Sequence, residues 1–188
     1  MPPAARYTRT AIGLHWAIAV LVLSTIPLGL FGASSESTAA QTATDIHKTI
    51  GILILTLTLV RVGWRLTHRP PALPEKYPLA LRRIARATHA LFYFLLLVLP
   101  FSGWWMSSAV PMRHTFGIGA VDIPFLPVPR GWASAGPAHF VHTNLAWLMI
   151  GLALLHILAA LKHHFIEKDD VLIRMLPRRS IFRTHPPK

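Results

Sequence analysis

The chain has 188 residues, 53% of them hydrophobic and 14% charged, with a mean hydropathy of +0.46, a balance that excludes an ordinary water-soluble domain and points to the bilayer. A formal net charge of +12 would suit nucleic acid if it were spread over a surface, but most of it falls in two stretches, so it reads as a topology signal and nucleic acid is excluded as a partner. The lack of cysteine removes disulfides, thiolate metal sites, iron–sulfur clusters and covalent c-type haem attachment.

Four apolar runs, roughly 12–32, 46–64, 87–106 and 138–161, each come near the ~20 residues that cross a ~30 Å hydrocarbon core. They predict an all-α membrane protein, a four-transmembrane-helix up-down bundle. Residues 1–10 are a polar lead. Arg6 and Arg9 before the first run and Gly32-Ala33-Ser34 after it imitate a signal peptide, but the run exceeds a signal core of about 7–15 residues and His15 is foreign to one, so the helix is retained. Pro27 can kink it. The Ser-, Thr- and Ala-rich stretch 34–45 is expected to be an outer loop, with Asp45 capping the second helix and His47 one turn inside it.

The inner end of the second helix carries Arg61 and Arg65, whose long side chains can snorkel to the surface. A proline-rich connection over 69–78 breaks the chain on the inner side. The third helix has His89 near its inner end and Pro100 in its outer half. The stretch 107–136, rich in Pro and Gly, carries Arg113, His114, Arg130 and Trp132; it is long for a loop and is expected to fold over the outer end of the bundle. The fourth helix runs inward to Lys162-His163-His164 and Glu167-Lys168-Asp169-Asp170. Residues 1–177 are expected to form one domain and 178–188 a basic cytoplasmic tail. Of the 19 Lys and Arg, only Lys48, Arg113 and Arg130 lie on the side opposite the termini, a bias that places both termini in the cytoplasm and lets the basic side meet anionic lipid headgroups.

The histidines carry the chemistry. His142 and His156 are 14 residues apart on the fourth helix, which displaces them by about 40° around it and ~21 Å along it. They share a face at opposite depths. Up-down topology sets His47 at the depth of His142, and both His15 and His89 near the depth of His156, with His163 and His164 closer to the inner interface. Two imidazoles facing each other at one depth are what axial ligation of a b-type haem requires, so two levels imply two haems. A porphyrin against a helix favours a small residue one turn from the ligand. His15 has Ala19, His47 has Gly51, His142 has Ala146 and His156 has Ala160, whereas His89 has Tyr93 but Ala85 on the preceding turn. This favours His15 over His89 as the inner partner and leaves His89 as the alternative, otherwise a supporting or quinone-site group. A histidine-based metal or proton transporter is the rival from another class, but such routes also use intramembrane carboxylates, and the spans have none beyond Asp45 at a boundary.

So assembled, the chain resembles the prokaryotic cytochrome b561 family from about residue 7 to 177. The resemblance rests on His15-Trp16, on His47 with Gly51, on His89 before an apolar run ending at Pro100, on His142 with His156, and on His163-His164 followed by Lys168-Asp169 and Arg174-Met175-Leu176-Pro177. It implies a multi-pass protein of the bacterial inner membrane in which His15 and His156 ligate the inner haem b, and His47 and His142 the outer one. It also implies electron exchange with ubiquinone and, as in some of the family, oxidation of superoxide, which makes the chain a superoxide:ubiquinone-type oxidoreductase. An anionic donor needs positive potential near the outer haem, which Lys48, Arg113 and Arg130 can supply. Quinone reduction consumes protons, for which His163, with His89 or Arg86, can be the source. The rival within redox chemistry is an electron-relay subunit for a dehydrogenase partner. A homodimer is compatible with this reading, and the sequence decides no oligomeric state.

Overall fold

The computed structural model describes residues 6–68, 71, 77–112, 115–118 and 121–177. Four long helices dominate it: α1 (Arg9–Ser34), α2 (Thr38–Thr67), α3 (Leu79–Ala109) and α4 (Trp132–Phe165). Each is long and apolar enough to cross a membrane. They are apolar almost all round, with Leu23, Phe31, Leu59, Phe94, Leu155 and Leu158 among the exposed side chains, as expected where lipid and not water is the surrounding solvent.

Caps set the helix starts. Thr8 accepts from the Ala11 N–H at the start of α1, and Ser37 accepts from the Ala40 N–H at the start of α2. The second of these corrects the sequence expectation that Asp45 is a cap. α2 begins at Thr38, two turns earlier, because Ser37 supplies the capping oxygen and no Gly or Pro interrupts 38–45. Thr42, Thr44 and Thr49 return their hydroxyls to carbonyls one turn back, so the polar stretch is helical without losing hydrogen bonds. Asp45, inside the helix, pairs with Lys48 at 3.1 Å.

The bundle is up-down. The C-terminal part of α1 meets the start of α2 where a Cβ on Gly32 would clash with the Thr44 hydroxyl, with Ala40 and Ala43 buried nearby, the small-residue contact by which membrane helices approach closely. The end of α2 meets the start of α3, where Arg61 Nε donates to the Tyr93 hydroxyl at 3.2 Å. α1 packs on α2, α2 on α3 and α3 on α4, whereas α4 approaches α1 and α2 only sparsely. The bundle is therefore open along one internal seam, between α4 and the α1/α2 pair.

The described residues of the connection, 110–112, 115–118 and 121–131, fold over the end of the bundle opposite the termini. Two-residue strands β1 (Gly117–Ile118) and β2 (Val121–Asp122) pair antiparallel with Gly117 opposite Asp122. Phe116 and Ile123 are buried. Trp104 Nε1 donates to Pro124 O, Leu126 N–H to the Ser108 hydroxyl, Gly131 N–H to Ala109 O and Thr49 Oγ1 to Gly117 O. At the inner end, the segment after α4 closes with a 3-10 turn, Ile173–Met175. Arg6 donates to Ile173 O and Leu176 O, and Trp16 Nε1 to Met175 O. The basic tail 178–188 and most of the connection 69–76 lie outside the described residues.

Candidate metal centre

Helix α4 places His142, Met149, His156 and His163 at intervals of seven residues, so the four lie on one slowly drifting line along its length. Met149 is buried. The line divides the seam into an outer level at His142, an apolar spacer at Met149, an inner level at His156 and an inner mouth at His163.

At the outer level, the rings of His47 on α2 and His142 on α4 are 6.1 Å apart between centroids and inclined at 80°. A metal–imidazole bond of about 2.0 Å, plus ~1.2 Å from nitrogen to ring centre on either side, sets two imidazoles facing each other across one metal ~6.4 Å apart. Both rings are held from behind. His47 Nδ1 lies 2.9 Å from Thr25 O and from Thr25 Oγ1 on α1, and His142 Nδ1 lies 3.0 Å from Leu99 O and 3.2 Å from Ser102 Oγ on α3. A carbonyl can only accept, so each Nδ1 carries the proton and each Nε2 is left as a free lone pair, the tautomer that a metal needs. Glycine makes room for each ring: a Cβ on Gly29 would lie 2.8 Å from the His47 ring, and one on Gly103 would lie 2.9 Å from the His142 ring. Donor chemistry, ring separation and glycine cradles all fit a bis-imidazole haem.

At the inner level three histidines meet. His156 on α4 is 6.3 Å from His15 on α1, inclined at 80°, and 6.1 Å from His89 on α3, inclined at 76°. Ring separation therefore does not choose between them; helix packing differs between the two. α3 and α4 are in close contact, and α1 and α4 are not. Helices packed at about 8–10 Å leave no room for a flat macrocycle between them, which disfavours a group held between α3 and α4. As a whole residue His89 is exposed, whereas the other four are half-buried. Phe92 packs edge-on to His156 at 5.2 Å. Arg61, on the same line of α2 as His47 and buried Ile54, is held on α3 by the Tyr93 hydroxyl.

Of the three expected outer cations, Lys48 adjoins His47, keeps a side chain 22% exposed, and has its ammonium 5.5 Å from the Phe116 ring centre. It lines a cleft of about 400 Å³ with Met106, Ser107, Trp132 and His139. Arg130 is exposed on the outer connection; Arg113 and His114 lie outside the described residues. At the inner mouth, His163 Nδ1 is 2.6 Å from Asp169 Oδ2 and 3.5 Å from Glu167 Oε2. His164 instead stacks edge-on against Phe165. The Tyr77 hydroxyl donates to the same Asp169 oxygen. Burial alone would push the Asp169 carboxyl up, but hydrogen bonds from Tyr77, the Val171 N–H and His163 hold it below the usual carboxylate value. Burial first, then the hydrogen bond to Asp169, push the Tyr77 phenol above its ordinary value.

Sequence reasoning missed Thr25, Gly29, Leu99, Gly103, His139, Tyr77 and Asp169 as parts of these sites. The glycines left a trace. Gly29 and Gly103 stand two and three residues after Pro27 and Pro100, at the depth assigned to the outer histidines, but on α1 and α3 and not on the helices of His47 and His142.

The sequence pattern of the family described as Prokaryotic cytochrome b561 matches residues 6–178. Among named relatives, cytochrome b561 homolog 2 of Escherichia coli K12 is 36% identical over 93% of both chains. Cytochrome b562 of Cereibacter sphaeroides is 33% identical over 92% of this chain and 96% of its own, and the probable superoxide oxidase CybB of Yersinia pestis is 28% identical over 93% and 97%. With four membrane-crossing helices and a family match over nearly the whole length, the chain belongs to the prokaryotic cytochrome b561 family, as a multi-pass prokaryotic membrane protein that binds haem b and transfers electrons.

Proposed function

We propose that the chain is a di-haem superoxide:ubiquinone oxidoreductase of the bacterial inner membrane, with both termini in the cytoplasm. The observation that carries this reading is the pair of histidine levels on α4, each facing a second histidine across the open seam at a ring separation suited to axial ligation. His47 and His142 hold the outer group through Nε2; His15 and His156 hold the inner one. When bound, haem b supplies reversible one-electron transfer. The chain supplies the rest. Thr25 O and Leu99 O fix the outer tautomers, and the buried Met149 puts an apolar side chain between the levels.

Two superoxide anions each give up one electron and leave as dioxygen; ubiquinone takes the two electrons and two protons and leaves as ubiquinol. Lys48, with Arg130 farther out, raises the positive potential where an anionic donor arrives. His163 is the proton donor at the inner mouth, with His89 beside the inner level as a second titratable group. The similarity to a relative named as a probable superoxide oxidase supports the choice of donor.

Reduced-minus-oxidised spectra and pyridine-haemochrome stoichiometry of the purified protein test this directly, with b-type bands and two haems per chain as the expected result. His142→Ala should remove the outer haem and leave the inner one spectrally intact. A protein without b-type bands would return the histidines to a transporter reading. Haems that superoxide fails to reduce would favour the electron-relay subunit of a dehydrogenase.

A further inference from the structure

Beyond the two histidine levels, the inner end of the bundle holds one more buried polar cluster, and it joins the cytoplasmic connection to the line of α4. His163 follows His156 by seven residues, about 20° around the helix and ~10.5 Å along it, so it stands directly inward of the inner level. After α4 the chain folds back on itself. Lys168 takes a left-handed φ of 51°, and Asp169 N–H donates to His163 O at 3.1 Å. This return delivers the Asp169 side chain, only 3% exposed, to the His163 ring. A carboxylate so enclosed must be matched by donors. It has three: His163 Nδ1 and the Tyr77 hydroxyl on Oδ2, and the Val171 N–H on Oδ1. With Nδ1 held there, Nε2 is the nitrogen that His163 has left to offer.

We propose that Asp169 is a positioning residue that fixes His163 for proton delivery to a quinone in the inner leaflet, with Tyr77 tying the pair to the cytoplasmic face. The inference rests on the quinone reading of the preceding section. His163 gives the proton on Nε2 to a quinone oxygen as the quinone is reduced, and regains one from water at its exposed edge; the two turnovers that make one ubiquinol supply both protons. The groups facing the ring are Asp169 and Glu167 from the segment after α4, Tyr77 from the α2–α3 connection, and Lys162, paired with Glu167 at 2.9 Å. Arg174 bears on Tyr77 from the 3-10 turn.

The test compares an acceptor that needs protons with one that does not. Full-length, haem-loaded protein in nanodiscs is reduced, freed of reductant and mixed in a stopped-flow instrument with ubiquinone-1 or with ferricyanide, and haem reoxidation is followed across pH. His163→Gln should slow the ubiquinone-1 reaction by about 10²-fold and Asp169→Asn by about 10-fold, as loss of a general acid and of its orientation would do. Ferricyanide oxidation should be unchanged in both. Asp169→Glu should recover most of the rate, and Tyr77→Phe should lower it a few-fold, so the idea stays testable if Asp169→Asn does not fold. Asp169→Asn protein with wild-type ubiquinone-1 rates at every pH overturns the inference, as does equal slowing with both acceptors, which marks a structural role. Wild-type protein that ferricyanide oxidises and ubiquinone-1 does not would defeat the quinone reading itself, and this inference with it.

Discussion

His47 and His142 stand on different helices, yet each is held by the same three means: a carbonyl on Nδ1, a hydroxyl beside it and a glycine under the ring. The glycines make a sharp prediction. An added methyl in Gly103→Ala would sit 2.9 Å from the His142 ring, inside any tolerable contact, so the imidazole must move. The outer haem should be shifted or lost in difference spectra while the inner one persists, and overpacking should lower stability by about 1–3 kcal/mol in thermal unfolding. Lys48 supports a different kind of prediction. Its pair with Asp45 is partly exposed and contributes little to stability, so Lys48→Ala should unfold at nearly the wild-type temperature. Its effect belongs to encounter: haem reduction by superoxide should slow by about 3- to 10-fold at low salt, and the difference should fade as ionic strength rises and the Debye length shrinks. A salt-independent difference would remove Lys48 from the donor site. The histidines proposed as ligands stand out in the sequence because an imidazole in an apolar run is conspicuous. Their supports do not, since a carbonyl belongs to every residue and a glycine in a membrane helix has many uses.

At the scale of elements, two segments depart from what their composition suggests. The Ser/Thr-rich stretch after α1 reads as a loop, but it is the first two turns of α2, capped by Ser37. Ser37→Ala should therefore cost about 1 kcal/mol, read as a lower thermal midpoint with unchanged haem content; an unaltered midpoint would put the helix start elsewhere. The segment after α4 reads as a charged end, but it is a clasp that takes hydrogen bonds from Arg6, Trp16 and Tyr77. Its pH dependence follows from the groups it encloses. The Asp169 pKa is depressed, so its stabilisation is present above the ordinary carboxylate value of about 4 and is lost as pH falls through the lower folded value. The Tyr77 pKa is raised, so its stabilisation is present below about 10 and is lost as pH rises through the higher folded value. Hydrogen-exchange protection of residues 166–177 should hold across the window between and fall on both sides. Such protection should be weakened at neutral pH in Tyr77→Phe; an unchanged pattern there would mean that the clasp is held by its other contacts.

For the whole molecule, orientation and the open seam are the deciding features. The bias of Lys and Arg toward the side of the termini predicts that a fluorescent-protein fusion at the C-terminus lights up in the cytoplasm, and that alkaline phosphatase inserted in the 110–131 connection is active outside. The opposite pattern would reverse the faces at which donor and quinone are proposed to act. The seam explains how one helix can serve both levels. Three sequential contacts, α1 on α2, α2 on α3 and α3 on α4, close most of the bundle and leave α4 standing off from α1 and α2. His142 and His156 look across that gap.

The sequence by itself determined the four spans, their alternation, the sided charge and the histidines sorted by depth, because these depend on hydropathy and helical period, which are local properties of the chain. Tertiary structure alone decided what stands beside each ring. It brought Thr25 and Leu99 to the outer imidazoles, set three histidines around one inner level, and carried Asp169 back to His163. Those contacts join residues that are distant in sequence, so no period or propensity encodes them. The proposed preference for His15 over His89 rests on which helices pack closely, a property of the bundle and not of either residue.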